Sequence, residues 1–150
     1  MFLFERIFGN AIYSIILVFF TVNISKSKSM KSVKRYMIWF VIALSIMGYF
    51  YLPYSTADLY RTKYLITSIY KNMDFNQIIS FVRNNGFRLH HLYYWLFGKM
   101  NNLNLLPAIT AMLFYSNCFC IIYKSAKKYQ YSQKTISLMI LFLMVGRTIC

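Results

Sequence analysis

Acidic side chains are scarce in this sequence. Three Asp and Glu stand against 17 Lys and Arg, a formal net charge of +14, and only 13% of residues are charged at all. Soluble domains carry about 25%. Cysteine is also scarce, at three residues, and an odd, low count excludes a small secreted disulfide scaffold. Cys118 and Cys120 lie about 200° apart around a helix, which prevents an easy bridge. No phosphate-binding glycine loop, GxSxG element or CxxC pair is present, so the familiar soluble-enzyme signatures are absent. Apolar residues, by contrast, make up 59% of the chain and aromatics 20%. A soluble domain of this size buries only about 70% of its unfolded surface and cannot hide so much. Such hydrophobicity excludes disorder. A soluble nucleic-acid binder would carry the charge but not uncharged runs of about twenty residues. An integral membrane protein remains, all-α and polytopic.

The uncharged runs locate the spans. Ile7 to Ser25, Tyr36 to Ala57 and Met100 to Tyr123 contain no charged residue. Each is long enough for a hydrocarbon core of about 30 Å. Backbone groups in lipid must bond within their own segment, so these runs are helices. The expected spans are 7–24, 37–52 and 103–123, with a fourth over 135–150. The fourth is interrupted by Arg147 and covers only about 24 Å. That shortfall suggests one incomplete membrane domain, the front part of a longer protein; the other reading is a short tilted or re-entrant helix. Glu5 and Arg6, with Val22-Asn23-Ile24 in place of a small-residue cleavage site, argue that the first span is retained and is not a signal peptide.

Charge sets the expected orientation. The connection Ser25–Arg35 holds Lys26, Lys28, Lys31, Lys34 and Arg35, and Lys124–Lys134 holds Lys124, Lys127, Lys128 and Lys134. The positive-inside rule puts both in the cytoplasm and the N-terminus outside. Topology signals thereby account for nine of the cations, and no nucleic-acid partner is required. Anionic lipid headgroups are natural neighbours. The connection 53–102 is then extracytoplasmic and too long for a turn. It reads as three short helices, Thr56–Lys71, Phe75–Arg83 and Arg88–Lys99. Asp58 suits the first helix dipole. Asp74 with Gln77 forms a capping-box pattern, and Asn84-Asn85-Gly86 ends the second helix. Tyr93, Tyr94, Trp95 and Phe97 suggest that the third lies at the membrane interface.

The chemistry-bearing candidates are few. Asp58 and Arg61 share a helix face three residues apart. They form either a local cap and pair or a carboxylate and cation at the mouth of an outward-facing site. His90 and His91 point about 100° apart on a helix, a poor arrangement for one metal; one of them could serve as a base, or both are interfacial polar tips. Arg147 lies inside an apolar run, where arginine is expensive and suggests a site, and its guanidinium matches phosphate. Snorkelling outward is the other reading. No metal or cofactor is implied.

The stretch Tyr51-Leu52-Pro53-Tyr54-Ser55-Thr56-Ala57-Asp58-Leu59-Tyr60-Arg61 contains a Tyr-x-Pro-x4-Asp-Leu-Tyr-Arg pattern opening the first long outer loop. With the basic first connection, His91–Leu96, Leu105-Leu106-Pro107, Tyr123–Lys128 and Gly146-Arg147, it resembles bacterial Wzy-type O-antigen and EpsG-type exopolysaccharide polymerases. The resemblance implies an inner-membrane glycosyltransferase of GT-C type with about ten or more spans. Such an enzyme transfers an undecaprenyl-pyrophosphate-linked oligosaccharide to another chain and needs no metal. Arg61 and Arg147 would stabilise the leaving pyrophosphate. Asp58 would be the base or the partner of Arg61, and Tyr60, His90 and His91 would contact substrate. A chain-length regulator or flippase would be a partner, and a chain with four spans at most would be inactive alone. Two rivals stand: another lipid-linked GT-C-type glycosyltransferase, and a small non-enzymatic membrane assembly protein.

Overall fold

A computed structural model describes residues 2–50, 58–86 and 88–145, with side chains from Gly9 onward. Among the described residues the chain is all-helical, without strands. Seven α-helices follow in order: α1 Phe2–Ser25, α2 Met30–Phe50, α3 Asp58–Ser68, α4 Phe75–Asn84, α5 His90–Lys99, α6 Leu105–Tyr129 and α7 Gln133–Val145, with a 3-10 turn at Tyr70–Asn72 before α4. Two of them, α2 and α6, are long and apolar enough to cross a membrane. The stretch Gly9–Ser25 of α1, and α7, are apolar but shorter.

Helix ends differ from the expected ones for a definite reason. An apolar run stops at the first charge, whereas backbone hydrogen bonding continues through lysine, a good helix former. Thus α2 begins at Met30, before Lys31, Lys34 and Arg35, and α6 runs past Lys124 to Tyr129. Ser29 caps α2, its Oγ accepting from Ser32 N–H at 3.3 Å, and Ser132 caps α7 in the same way through Thr135 N–H at 3.2 Å. The end of α6 is closed by Gln130 at φ 53°, with Tyr131 N–H donating to Ala126 O at 3.0 Å, a Schellman closure. The basic connections therefore shrink to a few residues, and most of their cations stand on helix ends. The fourth expected span, 135–150, is described only as α7; Gly146 to Cys150 lie outside the described residues.

The chain divides into two compact units, Met1–Met47 with Thr110–Cys150, and Gly48–Ile109. In the first unit, Phe20 stacks on Phe40 at 4.9 Å between ring centres, and Phe40 meets Phe119 at 5.5 Å. These rings bring α1, α2 and α6 together. Against α1 lies α7, antiparallel: Ser137 Oγ donates to Thr21 O at 2.8 Å near one end and Tyr13 Oη to Met144 O at 3.5 Å near the other. Outward faces remain apolar, with Ile15 68% exposed and Phe142 74%.

The second unit has its own core of Ile66, Tyr70, Ile78, Val82, Phe97 and Leu106. Asp74 caps α4 in a capping box, with Gln77 Oε1 accepting from Asp74 N–H at 2.8 Å. Gly86, at φ 76°, follows its end. The expected first helix, Thr56–Lys71, is α3 from Asp58 to Ser68, and the third starts at His90. The aromatics of α5 turn inward: Phe97 is buried, and Tyr93 and Trp95 pack on the core. Trp95 Nε1 donates to Met73 O at 2.9 Å.

Candidate functional site

The second unit gathers the described polar groups that chemistry would use. Gly98 lets α5 approach the 3-10 turn: a Cβ there would lie 3.1 Å from Lys71 N and 3.2 Å from Lys71 Cα. That close approach aligns Tyr70 with the first turn of α5. The Tyr70 hydroxyl and His91 Nδ1 are hydrogen-bonded at 2.6 Å. Phe81 meets the His91 ring edge-on at 5.1 Å, His90 lies at 4.0 Å, and Tyr94 flanks both Tyr70 at 5.9 Å and His90 at 5.6 Å. His91 is half-buried and His90 exposed.

Electrostatics favour an uncharged imidazole. Desolvation by burial lowers the His91 pKa from its usual 6.5, and the neighbouring His90 and Arg88 lower it further. Burial, with Tyr94 beside it, raises the Tyr70 phenol above its ordinary value. Both groups are therefore neutral near pH 7. In the tautomer where Nδ1–H donates to the Tyr70 oxygen, Nε2 keeps a lone pair and is a weak base. In the other tautomer Tyr70 donates and Nε2–H is a donor.

A second polar chain lies in the same unit. Lys63 Nζ donates to Asn104 Oδ1 at 2.9 Å, Asn104 N–H to Asn102 Oδ1 at 3.2 Å, and Asn102 Nδ2 to Tyr49 Oη at 3.3 Å. Burial holds the Lys63 ammonium below its usual pKa. Its partner is an amide oxygen, which leaves its charge uncompensated by that bond.

The candidates read from sequence are distributed unevenly. Asp58 and Arg61 do meet, at 3.8 Å, but with the side chains 99% and 69% exposed. This is the local, solvated pair, and such pairs add little to stability. Tyr60 is exposed beside them. His90 and His91 come together with Tyr70 and Tyr94. Arg147, the residues 51–57 of the Tyr-x-Pro pattern and Gly146 lie outside the described residues. Sequence reasoning missed Tyr70, Lys63 and Asn104. Tyr70 is 21 residues from His91 and Lys63 is 41 from Asn104, so no local spacing marks either pair. Among the described residues, no three His, Cys, Asp or Glu side chains gather in a way that could hold a metal. Cys118 and Cys120 are free thiols, half-buried and exposed.

No family model, curated protein or solved structure matches the chain.

Proposed function

We propose that this chain is an integral protein of the bacterial cytoplasmic membrane and acts as part of a polysaccharide polymerase using undecaprenyl-pyrophosphate-linked oligosaccharides. Its N-terminus and the connection 53–102 lie outside, and the spans extend beyond α2 and α6 to α1 and α7. Membrane residence is supported by the large apolar residues on the outer faces of the first unit. Orientation is supported by the paired basic helix ends. Within that reading His91 is the base for the acceptor hydroxyl, taking its proton on Nε2 while Tyr70 orients the ring. The rings of Phe81, His90 and Tyr94 offer flat apolar faces for a sugar. Arg61 neutralises the departing pyrophosphate, with Asp58 as its ion-pair partner at 3.8 Å.

The observation that carries the reading is the 2.6 Å Tyr70–His91 bond inside an aromatic cluster, on the stretch that connects the two helices of membrane length. The test is complementation of a deletion strain, with polymer length read on a gel. His91→Gln and Arg61→Ala are expected to lose long polymer while the protein still inserts at normal level. Normal polymer length in both variants sinks the assignment. An assembly role without catalysis is the second reading, favoured by the high solvent exposure of the Asp58–Arg61 pair.

A further inference from the structure

The first unit carries a feature that polymer chemistry does not use. Lys34, Ile38 and Val41 form a stripe on α2 at helical spacing, and Met112, Phe119 and Tyr123 form one on α6. Between the two stripes runs an apolar groove of about 320 Å³. The stripes are roughly 10 and 16 Å long, about a third to half of a hydrocarbon core near 30 Å and so within the depth of one leaflet. The α2 stripe starts near the helix N-terminus with Lys34, and the α6 stripe finishes toward its C-terminus with Tyr123. The groove thus has an apolar length and one polar mouth.

Charge at that mouth is one-sided. The antiparallel packing of α1 and α7 puts the α1–α2 and α6–α7 connections at the same end of the unit. Five cations from the first connection and its flanks and four from the second, nine in all, are exposed at that end. Among the described side chains of this unit there is no carboxylate. We infer that the groove is a binding site for one anionic phospholipid. Its phosphate sits on the Lys34 ammonium and the Tyr123 hydroxyl, and one acyl chain lies between Ile38 and Val41 on α2 and Met112 and Phe119 on α6. The inference rests on membrane residence and is independent of polymerase activity.

The test is native mass spectrometry of the purified full chain in detergent, titrated with phosphatidylglycerol or with phosphatidylcholine of the same acyl chains. One phosphatidylglycerol should bind about fivefold more tightly, as expected for one well-placed cation. Lys34→Gln should abolish that preference, Lys34→Arg should keep it, and Lys128→Gln, outside the groove, should leave it intact. Ile42→Trp, which fills the groove from a partly exposed position, should weaken both lipids, with helix content checked by circular dichroism. Equal losses in Lys34→Gln and Lys128→Gln would overturn the site in favour of diffuse attraction. Full displacement by millimolar inorganic phosphate would overturn the acyl part. A chain that stays in solution without detergent refutes membrane residence itself; a chain held in membranes without lipid preference refutes only this site.

Discussion

At the scale of single residues, His91 couples the second unit to acidity. The fold favours the neutral ring, since burial and two neighbouring cationic or titrating groups lower its pKa below 6.5. Its contribution is complete above pH 6.5 and is lost as the pH falls through the lowered value, because the unfolded chain then binds the proton more readily. Hydrogen exchange of the α4 and α5 amides, corrected for intrinsic rates, should therefore accelerate on acidification below that point. His91→Phe keeps a ring in the cluster and should remove the acid-induced part of the change. Equal acceleration in both proteins would assign the effect elsewhere. This centre was only half legible in the sequence. The adjacent histidines announce themselves, but Tyr70 reaches them across 21 residues through a glycine contact that no spacing reveals. The Asp58–Arg61 pair was legible because three residues along a helix fix the geometry. Its exposure was not, since that depends on what packs around α3.

At the scale of elements, close approach does the positioning. Gly98→Ala sets two effects in opposition. Alanine gains about 0.5–1 kcal/mol of helix propensity. Against this, its Cβ would press on backbone atoms of Lys71 at 3.1–3.2 Å, and forced overpacking costs about 1–3 kcal/mol. Backbone cannot swing aside as a flexible side chain does, so the substitution should destabilise the unit by roughly 1 kcal/mol. Denaturant titration monitored by tyrosine near-ultraviolet dichroism measures it; a stabilised variant would mean that the turn yields. In the first unit, Phe40→Ala removes the ring between Phe20 and Phe119. In the proposed membrane setting lipid is as apolar as the side chain, so the loss comes from packing rather than from water exclusion, and the low end of the usual range, about 3 kcal/mol, is expected. Unfolding of the micelle-bound protein in denaturing detergent would show it. The existence of these helices and the Asp74–Gln77 cap could be read directly, because both are local patterns. Helix ends could not: the criterion for crossing lipid stops at a lysine, whereas a helix does not.

At the scale of the whole molecule, the testable statement is orientation. Alkaline phosphatase fused after Asn85 should be active outside the cytoplasm, and the same enzyme fused after Gln130 should be inactive. Reversed activities would invert the proposed topology. Replacing Lys124, Lys127 and Lys128 together by Gln should produce molecules of mixed orientation, since cations near span ends direct insertion. At this level the sequence yields an expectation, from alternating long apolar runs and basic ends, that the fusions would decide. That the two basic connections share one side was an expectation from the sequence; the contacts that hold them there, in the antiparallel seam between α1 and α7, were not.

The two tryptophans offer a different use of the fold. Trp39 stands on α2 with 57% of its surface open, whereas the indole of Trp95 is half-buried and tied to the Met73 carbonyl. Their fluorescence should thus separate into two signals without any added dye. With the first unit in lipid as proposed, brominated lipid would quench Trp39, and loosening of the α4–α5 pair would shift the emission of Trp95. Trp39→Phe and Trp95→Phe each leave one colour, so one cuvette can follow insertion and tertiary folding as independent events.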